Sequence, residues 1–243
     1  MGVTLTVLGI AQDGGVPHAG CACSNCMGAH DNPILRRHPV ACGIMGSDES
    51  MHLIEASRAL PDQMRLWADS LGKQGVVRPD SLSLTHVHIG HVDGIGQFGK
   101  EVMGVSEMPL FASKSVIAEM SKREMMVPFS ASEVAAMQGF EPSEDCGFEM
   151  IFVPVPHRDE FADTHAILIR GPSKSILFLP DHDEWGATLA IHGAETIREW
   201  FSSLEVDIAL IDGSFWGPEE LPGRDMSKIP HPTVSESLKR LGH

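Results

Sequence analysis

Basic residues are scarce in this chain: 18 Lys and Arg stand against 33 Asp and Glu among 243 residues, a formal charge of -15. A surface of that sign repels a nucleic-acid backbone and an anionic membrane, so neither is expected as a partner. A cationic or zwitterionic small-molecule or peptide-derived substrate suits it better. Anionic substrates are not excluded, because a bound metal dominates its own surroundings whatever the global charge. Long apolar runs are also missing. No stretch reaches the ~18 residues of a membrane span, and Gly2 to Val7 lack the basic start and long apolar core of a secretory leader. Cytoplasmic residence is the expectation. The cysteines number only five, and three of them fall in Cys21-x-Cys-x-x-Cys26. That distribution fits a reducing compartment and metal ligation better than a disulfide framework. No linker, repeat or low-complexity segment interrupts the chain, so one domain over 1–243 is expected, with the oligomeric state left open.

What the chain does have is Leu84-Thr-His-Val-His-Ile-Gly-His-Val-Asp-Gly94, which places His86, His88 and His91 at spacings that can converge on a metal. The stretch follows Ser81-Leu-Ser-Leu84, whose alternation reads as a short strand. Residues two apart on an extended segment project to one side, so His86 and His88 can share an ion. His91 lies where a helix over 91–103 is expected to begin. Neutral imidazole binds zinc, iron or manganese near neutral pH.

The rest of the chain alternates strands and helices. Val3–Gly9, 42–45, 51–55, 109–112, 149–156, 163–170, 175–179 and 206–212 read as strands, and 60–71, 114–120 and 195–204 as helices. The methionines at 120, 125, 126 and 137 are assigned to the core or a mobile cover. In the early turn, Gln12, Asp13 and His18 are candidate substrate contacts. Cys21, Cys23 and Cys26 can be gathered by one tetrahedral zinc if a fourth ligand arrives, with His18, His30 and His231 as candidates. Asp212-Gly-Ser-Phe-Trp216 is a strand-end loop whose polar and aromatic groups, Ser214 and Trp216 among them, suit a pocket wall. Asp183 is expected to cap the following helix. His165 reads as a core histidine, and Thr233 with Glu236 as a capping box.

Thr85-His-x-His-x-x-His91 followed by Gly94 resembles the metal-binding signature of the metallo-β-lactamase superfamily, Thr-His-x-His-x-Asp-His-x-x-Gly. The opening Gly9-Ile-Ala-Gln-Asp-Gly-Gly-Val-Pro-His18, the cysteine cluster and Asp212-Gly-Ser-Phe-Trp216 resemble the branch containing coenzyme PQQ synthesis protein B. The resemblance runs from Val3 to His231. It implies an αββα sandwich of two mixed sheets flanked by helices. It implies further that His157 is the third primary metal histidine, Asp181 the bridging and catalytic carboxylate, and His231 the last ligand. One departure stands out: Gly90 occupies the aspartate position of the signature. The histidine site is therefore expected to hold at most one tight metal, and Asp93, two residues past His91, points elsewhere on a helical turn.

Three functions are compatible with this constellation. Zinc in the histidine site makes a hydrolase that turns metal-activated water on an ester, lactone, amide or phosphodiester. Iron with the same ligands suits the hydroxylase chemistry that the branch implies. A non-catalytic descendant that keeps its metal for folding is the third.

Overall fold

A computed structural model describes residues 2–221 and 223–242, and the chain divides into two compact units. The first runs through Glu133 and takes back Pro142–Gly147; the second comprises Val134–Glu141 and the residues from Phe148 onward.

The first unit is a six-stranded sheet with helices in its crossovers. Its elements are β1 (Thr4–Gly9), α1 (Ser24–Asp31), β2 (Ala41–Met45), β3 (Met51–Ile54), α2 (Leu60–Ser70), β4 (Ser81–Ser83), α3 (Ile89–Val92), β5 (Met108–Ala112), α4 (Lys114–Lys122) and β6 (Phe129–Glu133). Spatial order follows chain order. The first three strands are antiparallel, β1 and β2 separated by the segment that carries α1 and β2 and β3 joined by a short turn, whereas β3 through β6 are parallel. A parallel neighbour requires a crossover, and α2 and α4 serve as two of them. Residues Leu60, Gln63, Met64, Trp67 and Ala68 of α2 are buried, the spacing of a one-faced helix. Leu66 is exposed. Trp67 lies so close on the sheet that a Cβ at Gly43 would stand 2.4 Å from its ring. Only glycine lets the helix approach this far.

The expected helix over 91–103 is instead a single turn, α3, and a tight 3-10 turn over Ile95–Phe98. Gly94, Gly96 and Gly99 lie in this stretch, and glycine loses more backbone entropy in a helix than any other residue. The cysteine cluster runs into α1 with Cys23 as its N-cap. Strand β6 has no counterpart in the sequence reading. Of the four methionines, Met120 is fully buried and Met137 is half exposed.

The second unit contains β7 (Gly139–Phe140), β8 (Glu149–Val155), β9 (Thr164–Arg170), β10 (Ser175–Leu179), α5 (Trp185–Ile191), α6 (Ile197–Ser203), β11 (Ile208–Ile211) and α7 (Val234–Leu241). Its sheet order is β11-β10-β9-β8-β7, antiparallel except for the β10–β11 pair. Leu177, Leu179, Val153, Trp185, Ile197 and Trp200 form its core. Strand β7, also absent from the sequence reading, is two residues long. Thr196 caps α6 by accepting from Glu199 N at 3.1 Å, and Thr233 caps α7 by accepting from Glu236 N at 3.2 Å. The Glu236 carboxylate does not close the box; it pairs with Arg240 at 2.9 Å. Asp183 is not a cap either, because α5 starts one residue later, with Glu184 at the cap position and no side-chain capping bond. No helix among the described residues is long and apolar enough to cross a membrane.

The sheet of the first unit carries a buried histidine with a measurable consequence. His52 on β3 is held between Ser50 Oγ at 2.7 Å and Ser81 Oγ at 2.8 Å. Burial pushes its pKa down to about 4, only partly opposed by Asp80 and Asp48. The unfolded chain takes up that proton near the ordinary histidine pKa of ~6.5, the folded chain only near 4. Stability is thus full above about 6.5 and falls as pH drops toward 4, by about 3 kcal/mol from this residue. Denaturant titrations across that window should show a shallower slope for His52→Asn; an equal slope would assign the loss to other groups.

Candidate metal centre

In the first unit the site is built where the parallel strands end. Ligand crevices in open parallel sheets lie at the carboxyl ends of strands, and the loops after β3 and β4 are neighbours there. Glu55 follows β3 with φ of 68°, a left-handed conformation that a residue with a Cβ adopts at a cost. It is held there by Glu55 N donating to Ser83 O at 3.0 Å. The side chain is completely buried and accepts from Thr85 N at 3.2 Å and Thr85 Oγ1 at 2.5 Å through Oε1. Its other oxygen faces His91 Nδ1 at 3.6 Å.

These contacts fix a tautomer. A hydroxyl has one proton, and Thr85 gives it to the Glu55 carboxylate, so at His86 Nδ1, 2.8 Å away, Thr85 Oγ1 accepts. Nδ1 of His86 therefore carries hydrogen, and Nε2 presents the lone pair a metal needs. His86 and His91 are both buried, and their rings lie 4.1 Å apart; the half-buried His88 sits edge-on to His86 at 4.7 Å. Glu55, His86 and His91 offer ligand atoms that all fall within 4.8 Å. The loop after β3 clamps this arrangement: Ala56 N donates to His91 O at 2.9 Å, and Gly94 N to Ala56 O at 2.8 Å. A Cβ at Gly94 would stand 2.0 Å from Ser57 O, which explains the glycine of the signature. Asp93 turns away, as expected, into a 2.6 Å pair with Arg58.

The second unit presents its own cluster at strand ends. His157 follows β8 and is buried, with Nε2 at 3.5 Å from Asp181 Oδ2 and Nδ1 at 3.3 Å from Asp183 Oδ1. Asp183, expected as a cap, thus faces the far side of the His157 ring, the position of a ligand-orienting carboxylate. Asp212 follows β11, the parallel neighbour of the strand that delivers Asp181. It is buried and accepts from His231 Nδ1 at 2.6 Å and from Ser214 N at 3.0 Å. That bond makes Nδ1 of His231 the protonated nitrogen and leaves Nε2 as the lone-pair atom. Asp181, Asp212 and His231 form a further ligand group within 4.8 Å. His182 is packed edge-on against Trp185 at 4.4 Å, and burial drives its pKa down to about 4, so it stays neutral. His165 is buried on β9 beside Phe152, as read from the sequence.

The other candidates are scattered. Gln12 is exposed in the turn that Gly15 N closes on Gln12 O at 2.8 Å, whereas Asp13 lies against Gly90 and His91. Ser214 is half-buried beneath Asp212; Trp216 is exposed, with its N–H on Glu220. Cys21, Cys23 and Cys26 bring their sulfurs within 4.8 Å. The Cys26 amide, first, and the neighbouring thiols lower the Cys23 pKa to about 7, which favours the thiolate a metal requires. His18 joins this cluster through its backbone, donating N–H to Cys26 Sγ at 3.3 Å, while its ring packs over Gly14. His30 sits in the last turn of α1. Glu55 stands where the resemblance implies an acidic strand end below the metal site, whereas Asp183 and Asp212 were missed as site residues. The signal for Asp212 was an acid placed just past the end of an apolar strand.

The donor chemistry of these groups fits a divalent metal: imidazoles locked by oxygen partners, carboxylates and clustered thiolates. Residues 53–243 match the family model described as Beta-lactamase superfamily domain. Coenzyme PQQ synthesis protein B of Rhodopseudomonas palustris is 28% identical over 141 residues in strain TIE-1, covering 56% of this chain and 46% of that relative. In strain BisB5 it is 24% identical over 238 residues, covering 89% of this chain and 75% of the relative. The first match thus spans about half the relative's length. Zinc-bound PqqB from Methylobacterium extorquens has a similar structure, with a TM-score of 0.67 and 21% identity over 87% of this chain and 73% of that one. A diphosphatase from the PhnP family also gives 0.67 and 21%, over 98% and 81%. Two mixed sheets flanked by helices, with these neighbours, bear out the expected α/β fold class.

Thr85 is the residue on which the His86 tautomer depends. Thr85→Val should weaken metal binding at the histidine site by ~10–100-fold, the usual effect of losing an outer-shell partner, and Thr85→Ser should restore it. Competition with a chromophoric chelator measures this; equal affinity in wild type and Thr85→Val would remove Thr85 from the site.

Proposed function

The chain belongs to the beta-lactamase superfamily, and from that membership we propose that it is a metal-dependent hydrolase acting on an ester, lactone, amide or phosphodiester of a small-molecule or peptide-derived substrate. His86, His88, His157 and Asp181 are the ligands of one ion in this reading, and His91 and His231, sharing Asp181, belong to an adjacent position. Zinc is the first choice, with iron or manganese as alternatives. The observation that carries the reading is the buried chain Glu55–Thr85–His86, which aims Nε2 as a ligand. A bound ion of this kind supplies Lewis acidity, bringing a water's pKa to ~7 and polarising the bond to be cleaved. Asp181, half-buried beside His157, would in this reading hold the ion and orient its water. Asp212 keeps His231 in the ligand tautomer, while Glu55 and Asp183 face Nδ1 of His91 and His157 at 3.6 and 3.3 Å. Ser214, Trp216 and Gln12 are proposed as substrate contacts.

The name shared by the curated relatives, coenzyme PQQ synthesis protein B, favours a second reading: an iron-dependent hydroxylase of a biosynthetic intermediate. A metal-holding protein without catalysis is the third. Elemental analysis of freshly purified protein, combined with a panel of hydrolase substrates and an oxygen electrode, separates them. Turnover that follows zinc supports the hydrolase; oxygen uptake that follows iron sinks it.

On a responsive substrate, single losses of His86, His88, His157 and Asp181 should be non-additive, since the four act as a unit. Full metal content and full turnover in His88→Ala would refute the assignment. The cysteine cluster is proposed to hold a separate structural zinc. Cys23→Ser should then lose about one equivalent of zinc and melt at lower temperature; unchanged zinc and melting would refute this.

A further inference from the structure

We infer that Asp13, from the turn after β1, supplies the carboxylate that the histidine signature lacks at Gly90. The inference rests on the reading of the histidines as metal ligands. An ideal Cβ at Gly90 would stand 2.1 Å from Asp13 Cγ and 2.4 Å from both Asp13 Cβ and Oδ1. The Asp13 side chain therefore lies in the space that a side chain at position 90 would fill. Glycine at 90 is not a vacancy but the condition for Asp13 to be there.

Its orientation is that of a ligand. Asp13 Oδ1 lies 3.7 Å from His91 Nε2. That is too long for a hydrogen bond, yet close to the ~3.4 Å between two ligands at ~2.1 Å on a tetrahedral ion. Glu55 faces the opposite nitrogen of the same ring, Nδ1, at 3.6 Å. The ring thus has a carboxylate facing each nitrogen, buried Glu55 on one side and half-exposed Asp13 on the other. Asp93, the other acid nearby, is committed to Arg58.

The turn that carries Asp13 is tied down on both sides. Gly9 ends β1 where a Cβ would stand 1.8 Å from Pro39 O. Val40 N donates to Ala11 O at 3.0 Å, and Val16 N and Arg37 N exchange bonds with the opposite carbonyls at 2.8 and 2.9 Å. Gly15, with φ of 69°, closes the turn between them. A side chain at the tip of such a tethered turn is placed reproducibly, as a ligand must be. The Asp13 side chain is half exposed, so a ligand role does not require desolvating a lone charge.

The consequence is specific: the carboxylate has moved from the signature to a segment 77 positions earlier in the chain, and the two places exclude each other. Gly90→Asp is therefore not expected to fill a metal position, because its side chain would collide with Asp13. The test is Zn²⁺ titration by calorimetry, with stoichiometry from elemental analysis and melting curves alongside, on wild type and on Asp13→Ala, Asp13→Asn, Gly90→Asp and Asp13→Ala/Gly90→Asp. His88→Ala serves as the benchmark for the histidine site. Asp13→Ala and the isosteric Asp13→Asn should lose about one equivalent or bind it ~100-fold more weakly, while melting as wild type does without metal. The double variant should recover that equivalent, with Gly90→Asp alone weaker than wild type. Wild-type stoichiometry and affinity in both Asp13 variants, with zinc lost from His88→Ala, would overturn the inference alone. Zinc retained in all of them, His88→Ala included, would overturn the metal reading with it. A double variant that melts normally but stays at the Asp13→Ala level would also overturn it.

Discussion

A completely buried glutamate is the constraint on which the first unit's site depends. Removing Glu55 from water is tolerable only if its oxygens are met, since an unpaired buried charge costs several kcal/mol. The neighbouring loop meets Oε1 through both the backbone and the hydroxyl of Thr85, and sets His91 Nδ1 3.6 Å from the other oxygen. To reach that position the backbone at Glu55 turns left-handed, an unfavourable conformation kept by the Ser83 carbonyl. Strand β3 therefore fixes the histidines of the loop after β4 through a single side chain. The parallel β3–β4 pairing sets the height at which the two loops meet.

The second unit reaches a similar result with different parts. Asp212 and Asp181 leave the ends of two adjacent parallel strands, and His231 is drawn onto Asp212 from the residues before α7. In both units an oxygen engages Nδ1, Thr85 Oγ1 at His86 and Asp212 Oδ2 at His231, and leaves Nε2 as the lone-pair nitrogen. The protein thus controls which nitrogen binds, rather than leaving the choice to the metal. With a formal charge of -15 the chain has acids in excess, and the ones that matter here face imidazole, where they raise ligand basicity.

Much of this was legible in the sequence because two periodicities carry it. Alternation marked β1, β4, β8, β9 and β10, and the 3.6-residue spacing marked α2, so the histidines following β4 and β8 could be placed at strand ends. Strands β6 and β7 escaped: Phe129-Ser-Ala-Ser-Glu133 has a single large apolar residue, and β7 is a two-residue edge. The helix over 91–103 was misjudged because three glycines within six residues outweigh the apolar pattern of Ile95, Phe98, Val102 and Met103. Asp183 was misread for want of one residue of helix boundary. Its spacing fits a cap, and only the turn at Pro156, whose carbonyl accepts from Asp183 N at 2.7 Å, sends the carboxylate toward His157.

Asp13 shows why spacing alone underdetermines a site. A signature records which residue types stand at neighbouring positions, but a metal responds to where the oxygen is, not to which segment delivered it. The loop from Gly9 to Val16 and the turn at Gly90 compete for one volume, and a glycine in the signature is what the geometry requires once Asp13 holds that volume. The same logic explains the glycine at the end of β1, where Pro39 leaves no room for a Cβ and so anchors the turn that projects Asp13. Two glycines far apart in the chain therefore serve one carboxylate. Departures from a signature carry information about space, and the residue that fills the space is the one to read as its replacement.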